Sequence, residues 1–223
     1  GKGANLNIMM TLGVPVPPGF TVTTAECIAY TKAGNKFSAG LEKEIDRCVA
    51  ELEKQTGKQF GDPKNPLPVS VRSGARESMP GMMDTVLNVG MNDVVAEAMA
   101  KATGNERFVF DAYRRLIMMF GDVVMGVRRH AFEECLDQVK AEEGVKEDTE
   151  VSAAGLRKVV ELEKAVYKEA LGHAFPQNAR DQLMAGIRAV FGSWNNDRAV
   201  AYRNMNKIPH DWGTAVNVQT MVF

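Results

Sequence analysis

Two arginines, Arg72 and Arg76, lie in a segment of small residues that directly follows a short β-type run. Val69 and Val71 are the apolar positions of that run, which predicts a strand leading into a loop. Small residues leave backbone N–H groups unshielded, and a concave set of N–H groups binds anions. Each arginine adds a permanent positive charge and a planar fork that fits phosphate oxygens. The segment therefore predicts a phosphate-binding loop; the alternative is a polar surface turn after an edge strand.

Composition and charge place the chain among globular proteins. Its 223 residues, 45% hydrophobic and 25% charged, can bury a substantial core as one large or two small units. The net charge of −1 gives no overall electrostatic reason to expect nucleic acid or an anionic membrane as a partner. Binding of a phosphorylated ligand would therefore depend on the local placement of Lys2, Arg72 and Arg76.

Cysteine usage and the lack of a recognisable targeting signal favour a cytoplasmic location. Cys27, Cys48 and Cys135 are odd in number and lack C-x-x-C spacing, which argues against disulfide or zinc frameworks and favours a reducing compartment. The sequence contains no apolar run long enough to cross a bilayer and no signal peptide. An organellar location stays open, because a chain that begins at Gly1 can have lost a targeting sequence.

The pattern of residues 1–91 mixes helix and strand signals. A short helix is predicted at residues 4–12 and a strand at 20–23. Ser38 is expected to cap a helix that Gly57 ends. A loop with three prolines precedes the strand at 69–72, and that strand is expected to form a hairpin with a second strand at 85–89.

From residue 92 the pattern changes to successive helices. It predicts an all-helical subdomain at residues 92–177, inserted into an α/β part formed by residues 1–91 and 178–223. Asn92 is expected to cap a helix at 93–103 that ends at Gly104. Further helices are predicted at 108–127, 131–143, 152–171 and 183–194. The chain closes with a predicted strand at 215–223, whose edge at 216–223 is expected to be poorly protected.

Several strings together resemble one known family. The loop reads VSVRSGARESMPGMMDT at residues 69–85, and the chain opens with GKGANL. Further strings are VPVPPGFTVT at 14–23, YRR at 113–115, DVVM at 122–125 and DWGTAVNVQTMVF at 211–223. They span essentially the whole chain and resemble the N-terminal part of the pyruvate phosphate dikinase family. Phosphoenolpyruvate synthases share the VRS strand but continue with a different acidic loop, so SMPGMMD at 78–84 favours the dikinases.

The resemblance implies an α+β fold, the first part of an ATP-grasp-type nucleotide-binding domain with an inserted all-helical subdomain. Enzymes of the family are longer and add a mobile phosphohistidine domain and a pyruvate-binding barrel, and the full-length enzyme is expected to be a homodimer. We expect this chain to be a fragment that is inactive alone. The Mg²⁺ ligands are expected beyond it, so no metal residue is assigned. Glu77 and Asp84 could pair with Arg76 or approach Mg²⁺ through water, but they supply too few oxygens for a site.

The resemblance also implies a site for ATP. Lys2 would reach a phosphate, and Arg72 would be the catalytic residue that neutralises the transferring phosphate. The loop expected to close over the nucleotide consists of Met79, Pro80, Gly81, Met82 and Met83. Gln219 and Met221 would present backbone groups to adenine from a hinge strand. Each role has an alternative. Lys2 would be a flexible terminal lysine, and Arg72 would form a salt bridge at the strand end. Gln219 and Met221 would belong to an ordinary buried strand.

Three functions compete at this point. The first is the ATP-binding portion of a dikinase that converts ATP, phosphate and pyruvate to AMP, pyrophosphate and phosphoenolpyruvate through a phosphohistidine. The second is the corresponding part of a phosphoenolpyruvate synthase or an antibiotic phosphotransferase. The third is a noncatalytic interaction module that keeps the fold, which Lys2, Arg72 and Gly81 argue against.

Overall fold

Four antiparallel strands form the sheet that carries the arginine-containing loop. The computed structural model describes residues 1–222. The strands are β1 (Gly19–Val22), β2 (Val69–Ala75), β3 (Thr85–Val89) and β4 (Thr214–Thr220). Their order across the sheet is β1-β4-β2-β3, and every neighbouring pair is antiparallel. The connection between β2 and β3 is residues 76–84, called loop 76–84 below.

The helices surround this sheet and form most of the remaining chain. They are α1 (Lys2–Thr11), α2 (Thr24–Lys32), α3 (Leu41–Thr56), α4 (Asp93–Thr103), α5 (Glu106–Met119), α6 (Arg129–Glu143), α7 (Ala153–Leu171), α8 (Ala179–Ser193) and α9 (Asp197–Asn206). A π-helical turn (Phe120–Val124) continues α5, and 3₁₀ turns occur at Asp148–Glu150 and His210–Trp212. No helix within residues 1–222 has both the length and the apolarity needed to cross a membrane.

The two faces of the sheet differ in polarity. Side chains alternate between the faces of a strand, and Val71 of β2 packs against Gly186 of α8. Arg72, the next residue, therefore lies on the opposite face, where it pairs across the strands with Asn217. Asn217 in turn pairs with Thr21 of β1. The face toward α8 belongs to the core, whereas the other face is polar and is covered in part by α1.

Several local predictions are confirmed. Asn92 caps α4 by accepting a hydrogen bond from the backbone N–H of Val95 at 2.8 Å, and Gly104 ends that helix with a φ of +64°. Gly57 ends α3 in the same left-handed conformation. The strands β2 and β3 pair as the expected hairpin. The two helix caps depend on residues within a few positions of one another. β2, however, extends to Ala75 and not to the predicted end at Arg72, so the backbone of residues 73–75 pairs with β4 instead of lying in the loop.

Other local predictions are wrong. Ser38 does not cap α3, because its hydroxyl donates to a carboxylate oxygen of Glu26 at 2.6 Å and Gly40 occupies the N-cap position. The helix predicted at 108–127 is α5 followed by the π-helical turn. The helices α2 and α9 were not predicted. Neither has a strong apolar stripe, and α2 is held by packing on β4 and α8.

The predicted exposed edge at residues 216–223 is also wrong. β4 lies inside the sheet, paired with β1 on one side and β2 on the other. Val216 and Val218 are accordingly buried. The strand ends at Thr220, and the last residue of the predicted strand, Phe223, lies outside the described residues. Long-range pairing, which no local pattern contains, places this strand in the interior.

The segment at residues 92–177 contains helices and helical turns but no strand in the described structure. Its buried apolar residues and those of the sheet region belong to one continuous hydrophobic cluster. The division into an α/β part and a separate helical subdomain stays a prediction.

Candidate functional site

Lys2 and Arg72 lie close together on the polar face of the sheet. The Lys2 ammonium, at the start of α1, donates a hydrogen bond to the backbone carbonyl oxygen of Ser73 at 3.2 Å. Partial burial lowers the pKa of Lys2, and the nearby Arg72 guanidinium lowers it further. Two cations held this close repel each other, and an anion placed between them relieves that repulsion.

Arg72 is exposed on β2 and forms no ion pair within residues 1–222. Its strand partners are Thr85 on β3 and Asn217 on β4, and neither carries a charge. The salt bridge at the strand end, the alternative explanation for this arginine, is therefore not formed. A guanidinium with free donors beside a second cation is an arrangement that suits a phosphate group.

A cavity of about 440 Å³ opens between the start of α1 and loop 76–84. Lys2 and Asn5 line it from α1, and residues 73–75 line it from the end of β2. Of the loop residues expected over the nucleotide, those that line the cavity are Met79, Pro80, Gly81 and Met83. Met82 instead packs against the hydrophobic core. The loop and Lys2 thus share one cavity.

Loop 76–84 is fastened to the rest of the fold near both ends. The Arg76 guanidinium stacks over the Trp212 ring at 4.7 Å from its centroid. Near the other end, the Asn196 side chain donates to the carbonyl oxygen of Met82 at 3.1 Å. The backbone N–H of Asp84 donates to the Ser193 hydroxyl at 3.3 Å.

Asp84 pairs with Arg198 of α9 at 3.3 Å rather than with Arg76. Burial raises the pKa of the Asp84 carboxyl, and Arg198 opposes that shift. Sequence reasoning missed the four residues that hold the loop from outside it, namely Ser193, Asn196, Arg198 and Trp212. The only sequence signal available was the position of Asn196 immediately before a possible helix.

Gln219 and Met221 lie away from this cavity. The Gln219 side chain donates to the Pro17 carbonyl oxygen at 3.2 Å and lines a second cavity of about 180 Å³ between α1, β1 and β4. The backbone N–H of Met221 donates to the carbonyl oxygen of Pro68 at 3.0 Å. Gln219 shares the polar sheet face with Arg72, whereas Met221 follows the end of β4.

Asn217 is a buried polar residue that sequence reasoning did not single out. Its Oδ1 accepts from the Thr21 hydroxyl at 2.9 Å, while its Nδ2 has no hydrogen-bond partner among the described residues. Nδ2 packs over Gly74, where a side chain would overlap it at 2.2 Å. A side chain at position 74 would therefore force the Asn217 amide or the strand to shift.

The described residues contain no group of three or more His, Cys, Asp or Glu side chains that could hold a metal ion. Asp84, the last residue of the loop, pairs with Arg198. Glu77, the other carboxylate of the loop, is exposed and lines the cavity.

Comparison with known proteins gives matches along the whole chain. A family model described as "Pyruvate phosphate dikinase, AMP/ATP-binding domain" matches residues 1–52 and 33–223. The pyruvate, phosphate dikinase of Clostridium symbiosum is 55% identical over 224 residues, which cover 100% of this chain and 26% of the relative. The enzyme of the same name from Rhizobium meliloti (strain 1021) is 52% identical and is covered over 25% of its length. A chloroplastic relative from Mesembryanthemum crystallinum is also 52% identical, with 23% covered.

This chain therefore spans about a quarter of the length of the curated relatives it matches. The family model covers the chain from its first residue to its last. The sheet, the helices and the loop form a mixed α+β nucleotide-binding domain. The chain belongs to the pyruvate phosphate dikinase AMP/ATP-binding domain family.

Proposed function

We propose that this chain is the ATP-binding portion of a pyruvate phosphate dikinase. Such an enzyme converts ATP, phosphate and pyruvate to AMP, pyrophosphate and phosphoenolpyruvate through a phosphohistidine. The observation that carries the proposal is the pair of neighbouring cations, Lys2 and Arg72, on a polar sheet face beside the cavity under loop 76–84. This arrangement supplies positioning and charge stabilisation, which are the main requirements of phosphoryl transfer.

Each site residue has a proposed role. Lys2 holds a phosphate oxygen from the start of α1, and Arg72 neutralises the charge that develops on the transferring group. Loop residues 79–83 cover the phosphates and exclude water. Gln219 and Met221 contribute to the adenine end, supported by the position of Gln219 on the sheet face that carries Arg72. In this proposal Arg72 is the catalytic residue of the chain.

The remaining parts of the machinery are proposed to lie on other segments. Mg²⁺ supplies charge neutralisation on the phosphates, and its ligands are expected outside these residues. The phosphohistidine and pyruvate-binding domains are the expected partners within one polypeptide, which we propose to be a homodimer in the cytoplasm. The chain alone is then expected to lack sustained dikinase turnover. An interaction module without nucleotide would have no need for the unpaired Arg72.

A chimaera tests this function directly. The chain replaces the matching 26% of the Clostridium symbiosum relative, and the purified product is given ATP, phosphate, pyruvate and Mg²⁺. We expect ATP-dependent labelling of a histidine and formation of phosphoenolpyruvate. A folded chimaera that exchanges pyruvate with phosphoenolpyruvate but accepts no phosphoryl group from ATP contradicts the proposal. A chimaera that turns over without any requirement for inorganic phosphate favours the synthase instead.

A further inference from the structure

Loop 76–84 is held by side chains that lie far from it in the sequence. We propose that Asn196 and Trp212 are positioning residues, which fasten the two ends of this loop and so set where its exposed middle lies over the phosphate cavity. The effect that we expect on ATP-dependent phosphorylation rests on the proposed function. The structural part of the inference, the fastening of the loop, stands independently of that function.

The first fastening is at the start of the loop. Arg76 directly follows β2, is exposed, and forms no ion pair in the part of the chain that the structure describes. Its guanidinium carbon lies 4.7 Å from the centre of the Trp212 ring, within the range of a cation–π interaction. Trp212 also borders a cavity of about 320 Å³ together with Glu77 and Ser78, the next two loop residues. The indole therefore packs against the beginning of the loop.

Trp212 is itself held in place. It ends the 3₁₀ turn at His210–Trp212 and precedes Gly213, whose φ is +66°. A side chain at Gly213 would press on Ile28 and on the Thr24 carbonyl oxygen at 3.2 and 3.3 Å, so the turn lies tightly against α2. The next residue begins β4, the strand in the interior of the sheet. The ring position is thus set by the core of the fold.

The second fastening is at the far end of the loop and uses both ends of one amide. Asn196 Oδ1 accepts from the backbone N–H of Ala199 at 2.7 Å, which caps α9. Nδ2 of the same side chain donates to the Met82 carbonyl oxygen at 3.1 Å. Because the cap requires the oxygen to face α9, the amide has only one orientation, and its nitrogen is directed at the loop. The cap and the loop contact are two different hydrogen bonds, so a substitution can remove the loop contact and keep the cap.

Of residues 77–81, which lie between these fastenings, Met79 is buried and packs in the hydrophobic core. Glu77, Ser78, Pro80 and Gly81 are exposed, and Gly81 has a φ of +72° with open space around its Cα. The position of the exposed residues is therefore set by Met79 together with the two fixed ends of the loop. The middle of the loop borders the same cavity as Lys2, so a displaced loop would lose alignment with a bound phosphate.

Substitution of Asn196 by Ser tests the far end. Serine caps a helix about as well as asparagine but is too short to donate to Met82. In the chimaera we expect Asn196→Ser to lower the rate of ATP-dependent phosphorylation about three- to tenfold at subsaturating ATP, the loss typical of one hydrogen bond. Exchange between pyruvate and phosphoenolpyruvate should not change. The matched control is Asn178→Ser, because Asn178 caps α8 in the same way without contacting the loop.

Substitution of Trp212 tests the start. Trp212→Leu removes the stack, and we expect a loss of about two- to fivefold in the same half-reaction, with partial recovery in Trp212→Phe. In an Arg76→Ala background, Trp212→Leu should have little further effect, because the interaction it removes is already absent. The control is Phe37→Leu, which removes the stack between Arg188 and Phe37 at 4.5 Å on another part of the fold.

Hydrogen exchange on this chain without nucleotide separates the inference from the proposed function. We expect faster exchange at residues 77–83 in Asn196→Ser and Trp212→Leu than in the two controls. Unchanged exchange overturns the inference, even if the chimaera is fully active. Equal loss in both half-reactions also overturns it, since the residues would then only support the fold. A chimaera with the unsubstituted chain that takes no phosphoryl group from ATP contradicts the proposed function. The hydrogen-exchange result then tests by itself whether Asn196 and Trp212 hold the loop.

Discussion

The guanidinium of Arg72 lies near enough to the ammonium of Lys2 to lower the pKa of that lysine. The two residues are 70 positions apart but meet on one sheet face, because the start of α1 lies across β2 and its Lys2 reaches the Ser73 carbonyl oxygen. The fold therefore holds two like charges together, and a bound anion is the group that would stabilise both.

Removal of the Arg72 guanidinium should affect the ATP half-reaction selectively. In the chimaera, Arg72→Ala is expected to slow ATP-dependent phosphorylation on the order of a hundredfold or more, because one charge-assisted phosphate contact is lost. Arg72→Lys should recover only part, since an ammonium keeps the charge but not the planar fork. Both half-reactions are measured on the same folded variant. Equal loss in the two would assign Arg72 to the fold rather than to catalysis.

The pKa of Lys2 should respond to Arg72. A neighbouring cation disfavours the charged form of lysine, so Arg72→Gln is expected to raise the pKa of the Lys2 ammonium toward its usual range. Burial remains in the variant, so the recovery should be incomplete. Nuclear magnetic resonance titration of the lysine side chains measures the shift. Lys140 on α6, whose pKa is raised by hydrogen bonds to Asp137 and Asp148, is the internal control that the Arg72 substitution should leave unchanged.

Glu163 should make the stability of the chain depend on pH. This glutamate of α7 is buried, and its Oε2 has no hydrogen-bond partner among the described residues. Burial raises its pKa well above the usual value, while Arg114 opposes the shift and Asp111 adds to it. Between the unfolded and the folded pKa, the folded protein binds a proton that the unfolded chain releases. Stability is therefore highest below the unfolded pKa and falls as pH rises toward the folded one.

Glu163→Gln removes this titration. We expect the variant to be more stable than the parent at pH 7, because the amide is uncharged without taking up a proton, and to lose the pH dependence over that window. Urea unfolding at several pH values gives both quantities. Glu169→Gln, an exposed change on the same helix, should leave both unaltered. A parent whose stability rises through the same window would contradict the prediction.

A side chain at Gly74 should disturb the polar sheet face. A Cβ at this position would lie 2.2 Å from Nδ2 of Asn217, and overpacking of this kind costs about 1–3 kcal/mol. We expect Gly74→Ala to lower the free energy of unfolding by that amount. The comparison is Gly186→Ala, whose Cβ would meet Val71 at 3.7 Å, an ordinary contact distance. Equal effects of the two substitutions would argue against the tight packing at Asn217.

Hydrogen exchange should follow the observed strand order. β4 pairs on both sides, so its amides at Val216 and Val218 are expected to exchange as slowly as those of Val71 in β2. β1 is an edge strand and should exchange faster. Fast exchange throughout β4 with protection of β1 would contradict the order β1-β4-β2-β3.

Local sequence patterns are enough to predict the features that depend on neighbouring residues. Asn92 and Gly104 mark the ends of α4 because a cap needs only a side chain and the next three or four backbone groups. The run of small residues after Val71 predicts a phosphate loop for the same local reason, but β2 continues through Arg72 to Ala75 and only residues 76–84 form the loop. The family resemblance is local in the same sense, because it depends on short sequence strings such as VSVRSGARESMPGMMDT at residues 69–85.

Features that join distant parts of the chain come from tertiary packing. It placed β4 in the interior of the sheet and brought Asn196 to Met82 across 114 positions. It also redirected Ser38 from the expected cap to Glu26. Strand order and side-chain partners of this kind follow from how apolar faces pack together, and many packings satisfy the same periodicity until the whole core is assembled.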